Sequence, residues 1–288
     1  MRKLVSSLSM LVAAAALASS TAKAEDIQLT GPLKDAPSVR RLKQYRAQRF
    51  ELALQPTFTL LDEYRRTIFA GVRAQYHVND WFGFGLFGAF GAASLTTDLT
   101  DQLDTQLQAK DANGNFVNHS TKNGVSVGYA EGATSYPKFS AQTSTMNWIA
   151  APQAQFVPFR GKLSLFNEYF IDADAYLHAG AAFVGLSERK ECQANCSDPA
   201  TLKLDSRVAV APTFGLGMNV YVNDNVSVGI EYRAMPFSWN RAGFDARGTG
   251  PDGNFPDDRI TEADRTFKFN QMVGLSVGYS FGDPIITE

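Results

Sequence analysis

The chain has 288 residues, 44% apolar and 12% aromatic but only 19% charged, with 27 Lys and Arg against 29 Asp and Glu. It is too apolar for disorder, long enough for one large domain, and lacks the basic footprint of a nucleic-acid binder, so no nucleic-acid partner is expected. Beyond residue 24 no apolar run approaches the roughly 18 residues of a spanning helix, which excludes a helical membrane protein but not one that crosses with strands.

Residues 1–24 read as a secretory signal peptide. Arg2 and Lys3 precede an apolar stretch, Leu8 to Ala18, and Ala22-Lys23-Ala24 is a small-x-small cleavage pattern. Removing Arg2, Lys3 and Lys23 leaves 24 basic against 29 acidic residues, a net charge of −5. Residues 25–49 then form an arm that ends in five cations and no acid: Arg40, Arg41, Lys43, Arg46 and Arg49. Such an arm would pack into an acidic mouth, meet anionic head groups or stay solvated.

From Phe50 the pattern has period two, in eight segments. Phe50, Leu52, Leu54 and Phe58 alternate with Glu51, Ala53, Gln55 and Thr57. Ile68 to Tyr76 alternates with Thr67, Phe69, Gly71, Arg73 and Gln75, and Phe82, Phe84, Leu86 and Phe90 alternate largely with glycines. Met146, Trp148, Ala150, Ala154 and Phe156 alternate with Asn147, Gln153 and Gln155. Ala173 to Phe183 alternates with Asp172, Asp174, Tyr176, His178 and Gly180. Val208 to Met218 alternates with Arg207, Thr213, Gly215, Gly217 and Asn219, and Val226 to Tyr232 with Ser227, Gly229, Glu231 and Arg233. Phe269 to Phe281 alternates with Asn270, Gly274, Ser276, Gly278 and Ser280. Most segments exceed the usual five or six residues of globular strands. One face carries almost no charge, and the other holds charges in mid-strand, which argues against a soluble sandwich or a lipocalin. In lipid only a closed barrel satisfies every backbone group of a sheet, and apolar-out, polar-in alternation is its signature. The expected fold is therefore all-β: an eight-stranded antiparallel transmembrane β-barrel over residues 50–282, with a short N-terminal arm and a tail at 283–288.

The connections alternate in length. Val78-Asn79-Asp80 and Val222-Asn223-Asp224-Asn225 are tight turns, and the modestly longer connection around Pro158 to Glu168 lies on their side. Residues 94–144, 187–205 and 240–265 are long and polar, and only 60–66 is short on that side. Short periplasmic turns and long extracellular loops predict outer-membrane residence with both termini periplasmic. Aromatics gather near the turns (Tyr76, Trp81, Phe82, Phe156, Phe159, Tyr169, Phe170, Tyr221, Tyr279, Phe281), and a second set (Phe58, Tyr64, Trp148, Phe237, Trp239) marks the other ends, as two interfacial belts would. Pro56, Pro152, Pro212 and Pro236 fall inside these strands on the outward parity, so bulges or strand ends are expected at some of them.

Gly31-Pro32-Leu33, Ala36-Pro37-Ser38-Val39-Arg40, Tyr45-Arg46-Ala47 and Arg49-Phe50-Glu51-Leu52 resemble the opening of the outer-membrane β-barrel domain family common in myxobacteria and related bacteria. Pro158-Phe159-Arg160-Gly161-Lys162-Leu163, Phe166-Asn167, Asp174-Ala175-Tyr176 and Ala179-Gly180-Ala181 are similar to its middle. The resemblance implies a signal peptide and a small outer-membrane barrel, and it brings no catalytic or ligand residues. The last strand resembles a barrel-assembly signal, with Tyr279 and Phe281, although Ser276 stands where glycine is usual and seven residues follow Phe281. Outer-membrane lipid and the barrel-assembly machinery are the partners implied; no surface partner is named.

The candidate site is the set of inward charges Glu51, Arg73, Asp172, Asp174, His178, Glu231 and Arg233, with Lys268 a further candidate. They could line a pore, but an eight-stranded barrel is only wide enough for its own side chains, so a paired network closing the lumen is favoured. Cys192 and Cys196, in a polar stretch of an exported chain, are expected to form a disulfide rather than a metal site, which would need further ligands nearby. Asp252, Asp257, Asp258, Glu262 and Asp264 match no EF-hand spacing and read as solvated loop charge. His119-Ser120 lacks any fixed base and orienting group, so no enzyme is expected, and no metal or cofactor. The function expected is structural or surface-interactive. A small channel or carrier for solutes or apolar compounds is the alternative, and a lipid-modifying enzyme the remote one.

Overall fold

The chain divides into residues 1–40 and residues 41–288. The computed structural model describes residues 45–107, 112–114, 138–165, 169–194, 196, 201–245 and 259–282. The signal peptide, the arm up to residue 44, His119-Ser120, Asp252, Asp257, Asp258 and the tail at 283–288 lie outside the described residues.

Nine strands form one antiparallel sheet: β1 (Phe50–Leu54), β2 (Thr57–Leu60), β3 (Arg65–His77), β4 (Phe82–Thr96), β5 (Thr145–Leu165), β6 (Tyr169–Arg189), β7 (Leu204–Tyr221), β8 (Val226–Trp239) and β9 (Thr266–Phe281). β1 and β2 are two halves of one strand, interrupted at Gln55-Pro56, and both halves pair with β3 on one side and β9 on the other. The remaining strands pair in chain order, so the hydrogen bonds ring through eight strands. Closing the ring removes the sheet's two free edges.

The predicted parity holds along most of the wall. Phe84, Leu86, Val210, Leu216, Leu275 and Val277 point outward and are 52–66% exposed, far more apolar surface than a soluble monomer leaves uncovered. Pro56, Pro152 and Pro212 point outward as expected, and Pro56 is the one that breaks its strand.

Four expectations need correction. The segment from Pro158 to Glu168 is mostly strand: β5 continues to Leu165 and β6 begins at Tyr169, leaving only residues 166–168 between them. Met146 points inward and Asn147 is exposed, because the β5–β6 register shifts between Met146 and Trp148, and one extra residue inverts the parity before it. Phe237 and Trp239 are no belt: they share the parity of Glu231 and Arg233 and are 5% and 1% exposed inside the barrel. Tyr221 likewise points inward, two residues beyond inward Asn219. Tyr76, Trp81, Phe156, Tyr279 and Phe281 point outward at the short-turn end.

The interior is layered. Toward the long-loop end it is apolar, built from Phe69, Phe87, Ile149, Val184, Met235, Phe237 and their neighbours. Toward the short-turn end it is polar. Among the described residues the long connections include a helix, α1 (Asp98–Leu107), that no strand pattern announces. Their bases are stitched together: Gln142 Nε2 donates to Ala242 O (3.1 Å), Ser144 Oγ to Asn240 O (2.5 Å), and Arg189 to Gly243 O (2.8 Å) and Cys196 O. Cys192 bridges to Ile260, and it is disulfide-bonded to Cys196 as expected.

Candidate functional site

Strands β1, β3, β6 and β8 bring Glu51, Arg73, Tyr176, His178, Glu231 and Arg233 to one level of the barrel, because period two keeps each on the inward face and the register sets them at similar heights. All are at most 3% exposed. Arg73 is the hub. Its Nη2 donates to Glu51 Oε1 (2.9 Å), and its Nη1 to Glu231 Oε2 (3.1 Å) and to the Tyr176 hydroxyl (2.5 Å). The Tyr176 hydroxyl in turn donates to Glu231 Oε2 at 2.9 Å. Arg233 grips the other oxygen of Glu231, through Nη2 at 2.6 Å and Nε at 3.1 Å, and also donates to Gln153 Oε1 (2.7 Å) and Thr213 Oγ1 (3.2 Å). His178 Nδ1 lies 3.7 Å from Glu231, and His77 Nε2 lies 3.6 Å from Glu51.

Two guanidiniums face two carboxylates in this layer, so no net charge is carried by its ion pairs. Such pairing offsets the desolvation that would otherwise make buried charge prohibitive. The Arg233 guanidinium lies 4.3 Å from the centre of the Phe87 ring, a cation–π contact that joins the polar layer to the apolar one above it.

Asp174 sits one level nearer the short turns. It accepts hydrogen bonds from Arg46, the Tyr221 hydroxyl and Asn219. Arg46 stacks over the Tyr221 ring at 5.2 Å, and its backbone N–H donates to Asp80 Oδ1 (2.8 Å). Arg49 donates to Asp224 O (2.8 Å) and Ser280 O (3.1 Å). The described last residues of the arm, from Tyr45 on, are therefore seated in the short-turn mouth, with Arg46 and Arg49 each on an acceptor. Asp172 is buried at the rim, 4.0 Å from Lys162, apart from the Arg73 cluster. Lys268 shares the inward parity of Asn270 but lies away from the Arg73 cluster, partly exposed at the long-loop end, where it pairs with Glu63 at 3.1 Å.

Tyr176, His77, Gln153 and Arg46 complete the cluster beyond the charges expected from sequence. Parity placed Tyr176 and Gln153 inside, but only the register makes them neighbours of Arg73 and Arg233. Tyr176 fits because its cross-strand partner is Gly217: a Cβ at that glycine would stand 2.3 Å from the tyrosine ring. Gly217→Ala is expected to push Tyr176 off Arg73 and Glu231 and to lower stability by about 1–3 kcal/mol. Urea titration of the refolded barrel would measure it. Combining the change with Tyr176→Ser removes the collision, so the two costs should fall short of additive.

Among the described residues no group of three or more His, Cys, Asp or Glu could hold a metal ion. What the arrangement provides is a layer of paired, buried charge across the barrel interior.

No family model matches the chain, and no curated protein matches it in sequence. In structure it is similar to small outer-membrane barrels. The N-terminal β-barrel domain of OprF from Pseudomonas aeruginosa shares 9% identity at a TM-score of 0.39, over 82% of this chain and 98% of that one. The outer membrane protein OprG from the same organism shares 11% at 0.39, over 84% and 100%. Neisserial surface protein A shares 11% at 0.31, over 81% and 93%. The barrel assignment itself rests on the hydrogen-bond ring described above.

Proposed function

We propose that the chain is an exported outer-membrane β-barrel protein with a largely closed lumen and a structural or surface-interaction role, non-enzymatic, its long loops facing outward and both termini in the periplasm. The observation that carries this reading is the contrast between an apolar, exposed outer wall and an interior packed with side chains along its length. A ring of that kind is stable only where hydrocarbon surrounds it. Eight strands enclose room for side chains and little more, which supports the closed lumen. Outer-membrane lipid is then the constant partner. The exposed aromatic pair Tyr279 and Phe281 on β9, with ring centroids 4.9 Å apart, supports reading that strand as the signal for the assembly machinery. Membership of the family that the opening and middle segments resemble belongs to the same reading.

Planar-bilayer recording tests it. The protein is expected to insert without producing stable openings. Stable openings that vanish when Arg73 or Glu231 is replaced would overturn the closed lumen and favour a channel. A carrier of apolar compounds is the second reading, favoured by one observation: the upper half of the interior is apolar rather than polar.

A further inference from the structure

β7 and β8 are hydrogen-bonded from their turn only as far as Phe214–Ala234. Each strand runs on in its other ladder, β7 with β6 up to Leu204–Arg189 and β8 with β9 up to Trp239–Thr266. Residues 204–213 and 235–239 therefore flank a seam in the wall that no ladder closes.

The reason is chemical. In this pair the outward residues exchange the bonds, as the turn shows, where Val222 N–H donates to Val226 O at 3.0 Å. Val220–Val228, Met218–Ile230, Leu216–Tyr232 and Phe214–Ala234 follow in that register, and the next bonding pair would be Pro212 opposite Pro236. Neither has an N–H, so both bonds of that pair are lost together, and the ladder does not resume. The same absence lowers the penalty for an open seam in hydrocarbon, because the two donors that would be left unsatisfied there do not exist.

Behind the seam lies the apolar layer. Ala209 and Ala211 on β7 and Met235 and Phe237 on β8 face it, and Met146 and Met272 contribute from elsewhere in the ring. Alanine leaves room, and unbranched methionine repacks readily around a guest. In front, Val208, Val210, Phe267 and Phe269 are 46–67% exposed. Above, side chains replace the ladder: Arg207 on β7 donates to Ser238 O (3.0 Å) and to Glu188 (2.6 Å), and Glu188 accepts the Asn240 N–H (2.6 Å).

We propose that the β7–β8 seam is a lateral port through which an acyl chain of a membrane lipid enters the apolar half of the barrel, with Arg207, Glu188 and Ser238 latching its upper end. The occupant follows from the surroundings. Between the latch and Thr213 the residues named in front of and behind the seam are apolar and offer a polar solute no partner, and hydrocarbon is what the outward face meets if the barrel stands in a membrane. The port rests on that reading of the chain, and goes beyond it.

The chain's three tryptophans provide the test. Trp239 is 1% exposed in the apolar layer beside Phe237, whereas Trp148 lies on the outward face opposite Phe90. One variant keeps only Trp239 (Trp81→Phe, Trp148→Phe), and another keeps only Trp148 (Trp81→Phe, Trp239→Phe). Both are reconstituted in phosphatidylcholine vesicles with and without mid-chain bromine. Brominated lipid is expected to quench both. Quenching of Trp239 should be lost when Pro212→Thr with Pro236→Thr restores the two donors, or when Val210→Cys is crosslinked to Ser238→Cys, while that of Trp148 persists. Trp239 fluorescence untouched by bromine while Trp148 is quenched overturns the port, and so does Trp239 quenching unaltered by the crosslink. If Trp148 itself escapes quenching, the membrane reading fails and the port falls with it.

Discussion

Replacing Glu231 by alanine is expected to lower the unfolding free energy of the barrel by about 3–5 kcal/mol, the range for breaking a buried ion pair from one side. Glu231 is 1% exposed and accepts from Arg73, Arg233 and the Tyr176 hydroxyl. Without it two guanidiniums share the layer with the single carboxylate of Glu51, and Arg233 loses its only ion-pair partner in that layer. The loss exceeds what the pairs contribute, since an uncompensated buried charge is worse than none. Arg233→Met combined with Glu231→Leu, which leaves the Glu51–Arg73 pair intact, should therefore recover part of what Glu231→Leu alone removes. Urea unfolding in lipid vesicles, followed by tryptophan fluorescence, gives both numbers. A loss below about 1 kcal/mol for Glu231→Ala would place the residue in a hydrated, open lumen rather than a closed network.

Leu216→Arg should have an effect of comparable size for a different reason. Leu216 is 57% exposed in the middle of β7, between Leu177 and Tyr232. In water an exposed leucine exchanged for arginine changes stability within about 0.5 kcal/mol. On the lipid face of a barrel near the bilayer midplane, the same change costs about 2–4 kcal/mol. Val222→Arg, in the turn between β7 and β8, is the control and should cost close to nothing. Equal and negligible losses at both positions would mean that no hydrocarbon surrounds the wall.

Much of this architecture was legible before any coordinates. Period two is local, since successive residues of a strand point to opposite faces, so Leu216, Leu275 and Val277 could be placed outside and Arg73, Glu231 and Arg233 inside from the chain alone. Turn chemistry is local too, and Asn79-Asp80 and Asn223-Asp224 marked two of the short connections. Where the reading failed, the signal was sometimes present. Counting on from Arg233 by twos puts Phe237 and Trp239 inside, and counting on from Asn219 does the same for Tyr221, but aromatic identity near a strand end had pointed to the membrane interface. Met146 carried no such signal, because a bulge inverts parity without a residue type that announces it. Nor did the length of the β5–β6 hairpin, whose Pro158 and Gly161 resemble a loop and yet lie within a strand.

The sequence by itself determined the unit of construction: strands with one apolar and one polar face, joined by alternately short and long connections. Those properties depend on neighbours one or two positions apart. Only the tertiary structure decided what depends on register between strands far apart in the chain. Arg73 meets Tyr176 and Glu231 across 103 and 158 residues. Arg46 reaches Asp174 across 128. The apolar layer above the ion pairs assembles from β3 to β9, and Pro212 stands where the β7–β8 ladder would next pair it with Pro236 only because their turn sets the register. Alternation tells each side chain which way to point, and the hydrogen-bond register of the closed ring tells it whom it meets.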